Sequence, residues 1–138
     1  MKKQGIIGMV AVLAIIGFVA CGFGSQQGDK AQQATFKNVD AKAFADMIGK
    51  PNTVVIDVRT PEEVSQGYIK GATVFADING SDFAEKINAL DKSKTYLVYC
   101  RSGARSSNAS GYMIKNGFTN VYNLNGGILG WPGNVVKP

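Results

Sequence analysis

The chain has 138 residues, 45% apolar and 18% charged, which suits one globular domain and excludes a disordered, collagen-like or multi-span membrane chain. Its 15 basic and 10 acidic residues give a formal +5, which falls to +3 without Lys2 and Lys3, too weak and too dispersed to argue for nucleic acid. Histidine is absent, which removes the commonest metal ligand and the commonest general base, and no metal or cofactor is expected.

Residues 1–20 read as a secretory signal peptide. Lys2 and Lys3 are followed by Gly5 to Ala20, 16 residues without a charge. That run falls short of the roughly 20 residues a spanning helix needs, and it ends in a small residue. The exit, Phe18-Val19-Ala20-Cys21, resembles a bacterial lipoprotein signal, although Phe18 and Val19 depart from its commonest form. The resemblance implies that Cys21 is lipidated on sulfur and becomes the mature N-terminus. An ordinary cleaved signal and an uncleaved anchor helix are the alternatives. Cleavage removes Lys2 and Lys3, leaving 13 basic and 10 acidic residues, a formal +3. Residues 21–35 then form the lipidated cysteine and a flexible tether rich in Gly, Ser, Gln and Ala. The expected product is exported and lipid-anchored to the cell membrane or outer membrane, its domain (residues 36–138) facing the periplasm or cell exterior. Several acyl chains on one cysteine suffice for stable anchoring.

The domain opens with Phe36 to Val39, an edge strand. Asp40 caps a helix over Ala41 to Ile48, and Gly49-Lys50-Pro51-Asn52 breaks it. Thr53 to Val58 is a nearly continuous β-branched run, the pattern of a parallel strand covered on both faces. Thr60-Pro61-Glu62-Glu63 starts a helix, with a cap, proline at the first position and acids in the first turn. Gly67 to Ala72 reads as an irregular connection and Thr73 to Ala76 as a short strand. Ser81 caps a helix to about Asn88. Thr95 to Tyr99 is a second buried strand and ends at Cys100. A helix runs from near Arg105 to Asn116, stopped by Gly117. Val121 and Tyr122 make a last strand, Asn125-Gly126-Gly127 a turn, and Ile128 to Trp131 a short helical piece ended by Pro132. Strands alternating with helices predict α/β architecture with a parallel sheet, whose sites lie outside the carboxyl ends of the strands.

Cys100 stands at such an end, before a helix. In Cys100-Arg101-Ser102-Gly103-Ala104-Arg105, successive backbone N–H groups can turn inward as an anion-binding nest, aided by the helix N-terminus. Gly103 permits a backbone conformation closed to other residues. Arg101 and Arg105 are expected to add positive charge. Each of these favours thiolate, the nucleophilic form of cysteine. With only two cysteines in the chain, acylation of Cys21 leaves Cys100 without a disulfide or resolving partner. The plainer alternatives are a small buried hydrophobe at Cys100, a capping or acid-paired Arg105, and a surface Arg101. Asp57 and Arg59 read as a structural network near the site, Gly126 and Gly127 as turn residues, and Trp131 as core.

Four ordered blocks carry a resemblance to the single-domain rhodaneses, thiosulfate-type sulfurtransferases. They are Val55-Ile56-Asp57-Val58-Arg59 with Glu62 and Glu63; Gly67 to Ala72; Cys100 to Ser106; and Leu124-Asn125-Gly126-Gly127 with Trp131. Tyr68 departs from the family, which usually has histidine there. The resemblance implies a parallel five-stranded sheet with helices on both faces and a persulfide on Cys100. It also implies small partners: an anionic sulfur donor and a thiol or cyanide acceptor. A monomer is expected. Two rival readings remain. One is a membrane-tethered persulfide carrier. The other is an arsenate reductase or phosphatase on the same fold, whose loop would be one residue longer than the four enclosed by Cys100 and Arg105.

Overall fold

The computed structural model describes residues 34–138. The signal peptide, Cys21 and nearly all of the tether lie outside the described residues. Five parallel strands form the sheet: β1 (Lys37–Val39), β2 (Thr53–Asp57), β4 (Ala72–Phe75), β5 (Thr95–Tyr99) and β6 (Asn120–Leu124), in the order β1-β6-β5-β2-β4. A separate antiparallel pair joins β3 (Tyr68–Ile69) to β7 (Val135–Val136).

The central strand explains the two cores. Side chains alternate along β5, so Tyr96, Val98 and Cys100 face one side and Leu97 and Tyr99 the other. On the first side α3 (Phe83–Asn88) contributes Phe83 and Ile87, and α4 (Ala104–Lys115) contributes Ala109 and Met113. On the second, α1 (Ala41–Met47) contributes Phe44, which is fully buried edge-on to Tyr99 and Trp131 at 6.3 and 5.8 Å between ring centroids. Both faces of the sheet are thus covered, as the β-branched runs of β2 and β5 require.

Local chemistry sets the helix starts. Asp40 accepts from Ala43 N at 2.8 Å and caps α1. Thr60 caps α2 (Pro61–Ser65) in a reciprocal box: Glu63 N donates to Thr60 Oγ1, and Thr60 N donates to Glu63 Oε2.

Three expectations need correction. The cap of α3 is Asp82, not Ser81, and the Asp82 carboxylate pairs with Lys86 at 2.9 Å instead of capping. Tyr68 and Ile69 are not irregular, because they pair with Val136 and Val135, a partner far along the chain and past Pro132. The last strand is therefore β7, and β6 extends beyond Val121 and Tyr122 to Asn120–Leu124. Tyr68 itself packs edge-on against Phe75, ring centroids 4.9 Å apart.

The connection from β2 through α2 leads outward to edge strand β4, whereas that from β5 through α4 leads the opposite way to β6. The reversal of order falls between β2 and β5, and in such sheets the crevice at that point takes the ligand. The carboxyl ends flanking it carry Asp57, Arg59 and Cys100. Truncating Phe44→Ala, which empties the second core behind this crevice, is expected to cost about 3–5 kcal/mol. Urea unfolding should show the lowered midpoint with an unchanged m-value.

Candidate active site

Cys100 is the first residue after β5, and its side chain is fully buried. Two donors reach its sulfur: Gly103 N at 3.1 Å and Ser106 Oγ at 3.3 Å. Burial is the largest influence and pushes the thiol pKa up. The Ser106 hydroxyl and the backbone amides of Ser106, Gly103 and Ser102 together outweigh it, and the thiol lies below its ordinary value. The arginines are not among these leading causes.

The loop can offer amides to sulfur because its carbonyls are engaged elsewhere. Ile128 N donates to Cys100 O at 2.9 Å, and Leu129 N donates to Arg101 O at 3.1 Å. Gly103 O accepts Ser107 N at 3.0 Å and Ser106 Oγ at 3.2 Å. The first two bonds come from the 3₁₀ turn Ile128–Gly130, which lies directly against the loop. Gly127 makes that approach possible. Its φ is +58°, and a Cβ there would fall on the Arg101 carbonyl and 2.7 Å from Cys100 O. Gly103 has φ +106°, the left-handed turn that feeds the chain into α4. Asn123, buried in β6, donates through Nδ2 to Asn38 Oδ1 at 2.8 Å and Gly103 O at 3.4 Å, tying the loop to the sheet.

The other candidate residues fall around this loop. Arg101 and Ser102 are exposed, and Ala104 opens α4. Arg105 is half-buried and committed to Glu63 through two hydrogen bonds, Nη1 to Oε2 and Nη2 to Oε1, each 2.7 Å. The first effect on Glu63 is the Arg105 hydrogen bond, and its carboxyl is held down at about 2. Asp57 and Arg59 form a buried pair: Arg59 Nη2 meets Asp57 Oδ2 at 2.7 Å, and the same nitrogen donates to Gly67 O at 2.7 Å. The Arg59 guanidinium lies 5.7 Å from the Tyr99 ring centroid, and Tyr99 Oη accepts Ile69 N at 3.0 Å. Burial, followed by the Asp57 hydrogen bond and charge, keeps Tyr99 protonated well above the usual phenol range.

A cavity of about 340 Å³ bordered by Arg59, Glu63, Gln66, Arg101, Ile128 and Leu129 lies beside the loop. A larger one of about 420 Å³ lies between α2 and α3. Arg101 and the Arg105 partner Glu63 border the smaller, so it is the better placed for chemistry at Cys100 despite its size. The roles of Ser106, Asn123, Glu63 and the Gly127 approach were not foreseen in sequence. Gly127 carried a signal in its adjacent glycine, whereas buried Ser106 and Asn123 carried none.

The rhodanese-like domain pattern matches residues 40–134, and the chain belongs to that family. The chain is 44% identical over 84 residues to YtwF of Bacillus subtilis, named as a candidate sulfurtransferase, covering 61% of this chain and 77% of that one. It is 38% identical over 97 residues to the tRNA uridine(34) hydroxylase of Cytophaga hutchinsonii, covering 69% of this chain but only 31% of the hydroxylase. Among solved structures, a rhodanese-related protein of Thermoplasma volcanium superposes with a TM-score of 0.63 at 30% identity, covering 73% of this chain and 98% of that one.

Three outcomes follow from this geometry. Alkylation of Cys100 should rise with a midpoint below that of an ordinary thiol, since the rate follows the thiolate fraction and falls as pH drops through the depressed pKa. Ser106→Ala removes one donor and should move that midpoint upward. Gly127→Ala places a Cβ against the loop carbonyls at positive φ and should cost more than about 1 kcal/mol in urea unfolding, with slower Cys100 alkylation as the loop shifts.

Proposed function

We propose that this protein is a sulfurtransferase that carries a sulfane sulfur on Cys100. The observation that carries this reading is the convergence of Gly103 N and Ser106 Oγ on a buried sulfur at a strand-to-helix loop. The same donors serve the thiolate before transfer and the persulfide after it. The sulfurtransferase name among relatives supports the reading. The chain spans about a third of the hydroxylases, and their activity on tRNA is not carried over to it.

In the first half-reaction, the thiolate lone pair of Cys100 attacks the outer sulfur of thiosulfate or a similar donor. The donor S–S bond breaks, its electrons leave with sulfite, and a persulfide remains. In the second, a thiol or cyanide attacks the outer sulfur and Cys100 departs as thiolate. Neither leaving group needs a proton, which suits a chain without histidine. The new S–S bond of about 2.05 Å projects the transferred sulfur away from the buried Sγ, and Arg101 at the border of the neighbouring cavity is placed to steer a donor. Asp57 and Arg59 support the crevice wall rather than react.

Phosphoryl transfer fits less well. Such chemistry calls for a guanidinium free to take developing oxyanion charge, and Arg105 is held by Glu63. The expected result is steady thiocyanate formation from thiosulfate and cyanide, reduced to background in Cys100→Ser. Activity persisting in that variant contradicts the proposal, whereas sulfur loading without turnover turns it into carriage.

Export and lipid anchoring through Cys21 belong to the same proposal. They rest on the charged start, the apolar run and the Ala20-Cys21 exit. In cells, Cys21→Ala is expected to move the protein from the membrane fraction to the soluble one. Retention in the membrane would point to an uncleaved anchor.

A further inference from the structure

Arg105 ends the active-site loop, yet its guanidinium is committed to a carboxylate outside the loop. Nη1 and Nη2 are engaged by the two oxygens of one carboxylate, that of Glu63, each at 2.7 Å. A bidentate pair of this kind is among the strongest charge-assisted arrangements. Glu63 is held in turn: Thr60 N donates to Glu63 Oε2 at 3.1 Å, and the residue sits in the first turn of α2. The two side chains are 29% and 27% exposed, so solvent screens the pair only in part. Cys100 and half-buried Asp77 also act electrostatically on Arg105, whereas Arg59 is matched by Asp57. That leaves exposed Arg101 as the cation at the loop without an ion-pair partner among the described residues.

We propose that Glu63 determines the charge selectivity of the site. By holding Arg105 it lowers the positive charge that the loop presents, and so weakens the hold on dianions, thiosulfate and sulfite as well as phosphate, relative to sulfane donors of lower charge. This choice of substrate class rests on the sulfur-transfer reading. The effect on anion approach to Cys100 does not, and can be measured without turnover.

Glu63 acts through Arg105 and is a positioning residue. Its signature is a change in the treatment of charge rather than a general loss of function. The direct probe is the ratio of Cys100 alkylation rates by iodoacetate, an anion, and iodoacetamide, its neutral counterpart. In each case the thiolate displaces iodide, and the Cys100 peptide is quantified by mass spectrometry in the full chain. Glu63→Gln keeps the side-chain shape and an acceptor for Thr60 N but releases Arg105. The ratio should rise about fivefold, the scale of one partly screened charge unmasked near the thiol. The double variant Glu63→Gln/Arg105→Gln should return the ratio to near its wild-type value. Thr60→Ala, which removes the cap hydroxyl and spares the ion pair, should leave it unchanged.

An unchanged ratio in Glu63→Gln overturns the proposal, as does a rise that persists in the double variant. Should Glu63→Gln fail to fold, Arg105→Gln carries the test from the other side. It leaves a bare carboxylate near the thiol, and the ratio should fall several-fold, an unchanged ratio again being a contradiction. In thiosulfate turnover, Glu63→Gln should lower KM and tighten sulfite inhibition with a smaller change in kcat. A wild-type protein that turns over no sulfur donor defeats the sulfur-transfer reading alone, because the alkylation ratio still reports on Glu63.

Discussion

A buried sulfur that must carry negative charge needs hydrogen-bond donors within reach, since desolvation alone would favour the neutral thiol. In this protein those donors are the Ser106 hydroxyl and the loop's own backbone amides. A backbone can aim its N–H groups inward only if its carbonyls are satisfied in another direction. Here the carbonyls of Cys100 and Arg101 are taken by the amides of Ile128 and Leu129, and that of Gly103 by Ser107 N and Ser106 Oγ. The C-terminal turn and the start of α4 therefore hold the thiolate indirectly. Gly127 permits the first contact and Gly103 the second. The nest is a product of two distant segments of chain brought to one strand end.

Around it, the crevice between β2 and β5 is stiffened by charge kept out of the chemistry. The buried Asp57–Arg59 pair reaches across to Gly67 O, and Tyr99 Oη takes Ile69 N, so the connection after α2 is fixed from beneath. The Glu63–Arg105 pair joins α2 to the first turn of α4. Arg59 and Arg105 are thus matched by carboxylates, and the contacts to the Cys100 sulfur come from an amide and a hydroxyl.

The periodicities of β2 and β5 were enough to read a parallel sheet, because strands covered on both faces admit few polar residues. The loop was legible too, since a cysteine between a buried strand and a helix, followed by glycine, has few other uses. What resisted reading was long-range. Tyr68 and Ile69 pair with a strand beyond Pro132, and no local pattern announces that partner. Arg105 was expected to add positive charge to the loop, with pairing to an acid as the alternative. Its commitment to Glu63, 42 residues earlier, depends on where α2 is carried by the fold. Ser106 and Asn123 look like ordinary polar residues until burial turns them toward the loop.

The central claim is that Cys100, held as thiolate by this nest, takes up a single sulfur. Mass spectrometry of the protein after exposure to thiosulfate, with an alkylating trap and no reductant, tests it most directly. The account predicts one added sulfur atom located on the Cys100 peptide, removed on addition of cyanide. A Cys100 peptide that stays unmodified while thiocyanate is still produced would contradict it.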